Sequence, residues 1–305
     1  MPNFCTYCGN PLQSSWKVCP VCGKSIYFLV SPTTTAEISP KSISSKEEPS
    51  VLMRKEPKRF TKKRIKIIVI VSSIILAAII IPVTVFFTTN CYRTINYYVS
   101  HGQISKSYSC IFPRSTYNYY VNQPHPDHSM LGWDDVALTF ASYCTPDDGE
   151  ILKIAQEVKS QCINQSNDEE VINALLSFTQ GITYKSEAFD RAQYPLETII
   201  DKGDCEDLSI FFGSIVESLG YEAVILCVRV YDTTEAEWFY HACIGVHLDF
   251  IPNHHLSYPP SYYFNATEDD NQYWLCETTD QGWMVGQLPA SNPVYFEILS
   301  HAFVN

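Results

Sequence analysis

A chain of 305 residues admits one to three domains, and 46% hydrophobic with 18% charged residues is the composition of a globular protein rather than of a wholly disordered one. Charge is the anomaly: residues 1–66 carry 12 Lys/Arg against 4 Asp/Glu, and residues 67–305 carry 9 against 29, so +8 is followed by −20. That split excludes one uniform environment for the whole chain and calls for a cause between the two parts.

The chain opens on FCTYCGNPLQSSWKVCPVCGKSI. Cys5, Cys8, Cys19 and Cys22 follow a C-x2-C-x10-C-x2-C spacing, and Gly9 and Gly23 let the chain turn beneath each pair. Two such knuckles place four thiolates tetrahedrally around Zn2+, and four ligands leave no open position, so the zinc is expected to be structural. Residues 1–26 are therefore read as a zinc ribbon, similar to the small ribbons at the N-termini of many prokaryotic membrane proteins. Residues 27–63 are rich in Ser, Thr, Pro and Glu with little to bury, and read as a disordered linker with a basic end.

Ile67 to Phe87 carries no charge. It is apolar all round, unlike a core helix with a polar face, and about long enough to cross a hydrocarbon layer of roughly 30 Å. A transmembrane helix is predicted over 64–89, with Pro82 tolerated inside it. Before it, residues 54–66 hold eight Lys/Arg. The positive-inside rule then puts the N-terminus in the cytoplasm and residues 91–305 outside the cell. The same cluster accounts for most of the +8, so no nucleic-acid partner is expected.

Residues 91–305 read as one α+β domain. Residues 92–135 are tyrosine-rich and predict loops and a few strands. Thr145-Pro146-Asp147-Asp148 predicts a helix start, with Thr as cap and Pro in the first turn. Asn167 and Asp168 begin a second helix, and YPLETIID (194–201) forms a short segment. In GDCEDLSIFFGSIVESLGYEAVILCV, the residues Leu208, Phe211, Phe212, Ile215 and Leu219 form one apolar stripe of a helix that Gly220 ends. Residues 222–230, 239–248 and 273–279 predict strands.

Cys205 sits at the start of that helix, where free backbone N–H groups and the helix dipole favour a thiolate. Asp204, Glu206 and Asp207 oppose this unless they turn aside to cap the helix. His241 and Glu277 follow at intervals of thirty-six residues, each in a predicted strand: nucleophile, base and orienting acid in chain order. GDCEDLSIFFGSIVESLGYEAVIL, HACIGVHL and YWLCETTDQGWMVGQLP resemble the cysteine, histidine and acid motifs of the transglutaminase-like superfamily. FTQGITYK and YPLETIIDKGDCED resemble upstream segments of its membrane-bound archaeal members. The resemblance covers roughly 145–290. It implies a papain-like core, with N-terminal helices packed on an antiparallel sheet, and a catalytic Cys205, His241 and Glu277 that needs no cofactor. Glutamate replaces the usual aspartate. A loose analogy with papain-like enzymes assigns Gln180 to an oxyanion hole.

Two functions are expected from these residues. The first is a membrane-anchored thiol enzyme acting on amide bonds of extracellular proteins or peptides, as a peptidase or amidase. The second is a catalytically silent module that binds a peptide or glycan and signals to a cytoplasmic protein partner of the ribbon. Secondary features are weaker. His125 and His128 on a proline-containing loop read as solvated rather than metal-binding. The run Glu268, Asp269 and Asp270 fails the spacing of a calcium loop. Asn164 and Asn265 begin glycosylation sequons. Cys110, Cys144 and Cys162 are the expected candidates for disulfides, and Cys227, Cys243 and Cys276 for buried thiols.

Overall fold

A computed structural model describes residues 3–4, 11–12, 62–100, 102–125, 131–186, 191–232, 237–253, 263–266, 271–288 and 296–304. The chain divides into two compact units, Met1–Phe60 and Thr61–Asn305. In the first unit, β1 (Asn3–Phe4) pairs antiparallel with β2 (Pro11–Leu12), Asn3 opposite Leu12. The four ribbon cysteines and most of the expected linker lie outside the described residues.

The second unit opens on α1 (Lys62–Thr89), two residues earlier than its predicted start. Its segment Val69–Thr89 has a mean hydropathy of 2.8 and no buried share, and is the one helix among the described residues long and apolar enough to cross a membrane. At ~1.5 Å per residue it reaches about 31 Å. Its last carbonyls lack helical partners. The Arg114 guanidinium takes up the carbonyls of Phe87, Thr88 and Asn90 at 3.2–3.4 Å.

The tyrosine-rich segment forms a long hairpin: β3 (Asn90–Val99) pairs antiparallel with β4 (Ile104–Pro113) along its whole length. Alternation puts Ile95, Tyr97 and Val99 inside and Tyr92 and Tyr98 outside, as expected of a half-buried strand. The helices α2 (Arg114–Val121) and α3 (Trp133–Tyr143) follow, neither of them anticipated from sequence.

Next comes α4 (Gly149–Ser160). Its cap is Asp148, whose carboxylate accepts from Glu150 N and Ile151 N, rather than the expected Thr145 three residues earlier. Both residue types cap well, but Asp adds a negative charge at the positive helix end. α5 (Asp168–Gln180) starts as expected, with Asn167 accepting from Glu170 N. α6 (Pro195–Asp201) is short. α7 (Cys205–Glu217) buries Leu208, Phe211, Phe212 and Ile215 completely, and Gly220 takes φ +85° beyond its end. Each such side chain contributes roughly 1.5–3 kcal/mol by leaving water.

The sheet is antiparallel throughout, in the order β7 (Tyr263–Asn265), β8 (Gln272–Cys276), β6 (Glu237–His247), β5 (Ala223–Asp232), β9 (Phe296–Phe303). Ile225, Cys227, Ala242, Ile244 and Cys276 face the helical core, while Val224, Leu226, Val228, Cys243 and Leu275 form a second cluster. The fold is thus α+β, with N-terminal helices packed on an antiparallel sheet, as expected. It extends beyond 145–290 at both ends, through the β3–β4 hairpin that packs on α5 and through β9 beside β5.

The cysteines correct one expectation. Cys110, Cys144 and Cys162 are free thiols, as are Cys91, Cys205, Cys227, Cys243 and Cys276. Burial pushes Cys162 and Cys227 up to about 11, and Cys110 and Cys144 up to about 12. His125 corrects another: its side chain is 4% exposed and bonds Glu197 Oε2 at 2.8 Å, among Tyr143 and Tyr194. Its neighbour His128 and the run 268–270 lie outside the described residues.

Candidate active site

Cys205 is the first residue of α7, and its position is fixed from the turn before it. Gly203 lies so close to the helix that a Cβ there would stand 2.4 Å from Asp207 Cβ, so only glycine fits. Gly203 also forms a parallel bridge with Tyr184 and accepts from Lys185 N at 2.8 Å. Asp207 is fully buried. Its carboxylate accepts from Gln193 N at 2.7 Å, Gln193 Nε2 at 3.0 Å and Asp204 N at 3.3 Å. Asp207 therefore turns aside to bind backbone, as the sequence allows, and ties the 193 segment to the start of α7.

Glu206 does the opposite. The Cys205 thiol donates to Glu206 Oε2 at 3.4 Å, and Glu206 is 5% exposed. Burial raises the Cys205 pKa well above its ordinary value, and the carboxyls of Glu206 and Asp204 add to it. The Ala242 backbone N–H, pointing at the sulfur from β6, opposes them without prevailing. The expectation of a thiolate favoured by the helix dipole is thus reversed in this state. Desolvation and two adjacent acids outweigh a partial charge of roughly half a unit at the helix end.

His241 and Glu277 do come together. His241 Nε2 lies 3.3 Å from Glu277 Oε2, with the imidazole 18% and the carboxylate 6% exposed. Glu277 is the residue just after β8 rather than within it, which frees its backbone to turn. Its second oxygen accepts from Thr279 N at 2.7 Å and Thr279 Oγ1 at 2.5 Å. Burial pushes this carboxyl up, but His241 and the two Thr279 donors outweigh it, and the net shift is downward. Thr279 accommodates the longer glutamate side chain by holding the oxygen that His241 does not use. Because Nε2 faces the acid, Nδ1 is the nitrogen left for another partner. The next residue along β6, Ala242, already meets the sulfur.

Gln180 has a different task from the one assigned to it. Both hydrogens of its amide are engaged, by Glu277 O at 2.7 Å and Trp283 O at 3.1 Å, and its oxygen accepts from Gly282 N at 3.2 Å. No donor remains for an oxyanion. Gln180 instead fastens the segment carrying Glu277 to the end of α5. Sequence reasoning also missed Thr279 and Gln193, which act through backbone groups and leave no motif. It passed over Tyr184, whose phenol is pushed up to about 12 by burial and by the charges of Cys205, Asp204, Glu206 and Glu277. Tyr184 thus overlooks all four groups.

Asp204, Glu206 and Asp207 offer oxygens that lie within 4.8 Å of one another. Asp207 is already used by three N–H donors. Burial first, then the hydrogen bond and charge of Asp204, raise the Glu206 pKa strongly, so Glu206 is protonated when folded and ionised when unfolded. A raised carboxyl stabilises the fold fully below its unfolded pKa of about 4.3 and loses that contribution as pH rises, by about 1.4 kcal/mol per unit. Glu206→Gln keeps the shape without the titration. Urea unfolding at pH 5 and pH 8 is expected to show a smaller loss of stability in that variant than in the unmodified chain.

Comparison with known proteins adds two findings. A zinc-ribbon domain family matches residues 4–26, a stretch that begins at the end of β1 and includes β2. A solved structure from Cytophaga hutchinsonii described as "a Putative Cysteine Protease" is 13% identical, covers 71% of this chain and 78% of its own, and has a TM-score of 0.33. A likeness of that size bears on neither activity nor mechanism. No curated protein matches the chain.

Proposed function

We propose that the protein is a membrane-anchored thiol enzyme that acts on amide bonds. The observation that carries this reading is the buried Glu277, held by Thr279 and hydrogen-bonded to His241, whose neighbour on β6, Ala242, faces the sulfur of Cys205 at the start of α7. His241 takes the Cys205 proton on Nδ1 while Glu277 stabilises the imidazolium through Nε2. The thiolate attacks the amide carbonyl, and imidazolium returns the proton to the departing amine, leaving a thioester. Water, deprotonated by His241, then releases the acid and restores the thiol. In this reading α1 spans the membrane, the basic flank keeps residues 1–63 in the cytoplasm, and the domain from residue 91 meets protein or peptide substrates outside. The four ribbon cysteines hold a structural Zn2+ and offer a dock for a cytoplasmic protein partner.

A second reading has one observation in its favour. The thiol bonds Glu206, and its pKa is raised, as suits a silent site that only binds. p-Nitrophenyl acetate separates the two with the full chain in detergent. The enzyme reading expects a burst approaching one nitrophenolate per chain, lost in Cys205→Ser. No burst above the Cys205→Ser background overturns it in favour of the binding module.

A further inference from the structure

Beside the nucleophile stand two acids that the reaction above does not use. Asp204 is 9% exposed and Glu206 5%. Their carboxyl oxygens lie within 4.8 Å of each other, and two buried acids so close favour sharing one proton over ionising together. No Lys, Arg or His forms an ion pair with either among the described residues, and Asp204 Oδ1, also buried, has no hydrogen-bond partner. The pair therefore carries one proton and one negative charge that no ion pair among the described residues compensates. It touches the sulfur directly, since Cys205 donates to Glu206 Oε2 at 3.4 Å. The groups around it offer no relief. Asp207 on the same turn accepts from Gln193, Tyr184 faces the pair as a phenol from the 183–186 segment, and Cys227 on β5 is a thiol whose pKa burial pushes up to about 11.

We infer that Asp204 and Glu206 form a proton-sharing carboxyl clamp that holds the Cys205 thiol in a neutral resting form, and that reaction at Cys205 requires positive charge to be brought to the clamp. This rests on Cys205 being the nucleophile and adds a restraint on it. The thiol donates to Glu206 Oε2. Any thiolate formed there would face the like charge of the pair across Glu206. Bringing a proton or a cationic substrate group to the pair cancels that charge and leaves the thiol to His241.

The test is iodoacetamide alkylation of the full chain in detergent, read by mass spectrometry on the peptide that contains Cys205, from pH 6 to 11. Asp204→Asn keeps a good helix cap and removes the charge, because Glu206 stays protonated through its burial. Its alkylation midpoint is expected about one unit below that of the unmodified chain, with a rate near neutral pH about tenfold higher and the same limiting rate at high pH. In Glu206→Gln the charge of the pair remains, so the midpoint is expected to stay with the unmodified chain. Equal midpoints in the unmodified chain and Asp204→Asn overturn the clamp. So does a higher limiting rate with a midpoint near the free value of about 8.5, which reports local opening instead. Alkylation needs no substrate, so a chain that shows the shift but no nitrophenyl acetate burst keeps the clamp and loses the enzyme reading.

Discussion

Replacing Glu277 by glutamine is expected to lower the acylation rate of Cys205 by about three orders of magnitude while leaving the fold intact. The reason lies in which oxygen does what. Glu277 Oε1 accepts two hydrogen bonds from Thr279, and Oε2 accepts one from the His241 ring. A glutamine has one oxygen and one NH2. The backbone N–H of Thr279 must keep an acceptor, so the amide oxygen goes to Thr279 and the NH2 faces His241 Nε2. That nitrogen must then be the acceptor, which moves the ring proton to Nδ1. A ring protonated on Nδ1 cannot take the thiol proton. Loss of the correct tautomer in a comparable triad costs about 10⁴ in turnover, with the geometry preserved. The measurement is the burst rate with p-nitrophenyl acetate, beside a thermal melt. A rate within threefold of the unmodified protein would show that His241 is not oriented by Glu277. Thr279→Val is the companion: it keeps the N–H donor, removes the hydroxyl, and is expected to cost much less.

The site was legible where chemistry is carried by side-chain identity at fixed spacing. Cys205, His241 and Glu277 are rare types in a recognisable order, and the stripe of Leu208, Phe211, Phe212 and Ile215 fixes the face of α7. The apolar run before residue 90 was equally plain. What stayed hidden depends on backbone and on distance in space. Gln180 looked like an oxyanion donor because its sequence neighbourhood says nothing of Trp283, a hundred residues on, whose carbonyl takes its amide. Asp148 won the cap of α4 over Thr145 by a local competition in which both residues qualify. β9 escaped because its partner, β5, is some seventy residues earlier. Glu206 was the subtlest case. Capping offered Glu206 and Asp207 a way to turn away from the sulfur, and Asp207 takes it. Glu206 instead faces Cys205 and Asp204, and burial there inverts the thiol chemistry expected of a helix start.

Asp207→Ala is expected to be the most destabilising single change at the site, by about 4 kcal/mol. Its carboxylate is fully buried and is the acceptor for Gln193 N, Gln193 Nε2 and Asp204 N. Truncation leaves three buried donors without it. Each orphan costs roughly 1–3 kcal/mol, less than additively because they share one site. At roughly 2–4 °C per kcal/mol for a unit of this size, the melting temperature should fall by about 8–16 °C. The isosteric Asp207→Asn tells more. One amide oxygen can serve Gln193 N, but the NH2 then points at Asp204 N and Gln193 Nε2, both donors. Asparagine should therefore cost nearly as much as alanine. If the residue acted only as part of a helix cap, asparagine, a good capping side chain, would be close to neutral. The same change should also loosen Cys205, two residues away. A melt combined with Cys205 alkylation would then show a large stability loss together with faster labelling at all pH values. A neutral Asp207→Asn would mean that the 193 segment is anchored elsewhere, and that the start of α7 owes its position to Gly203 and the apolar stripe alone.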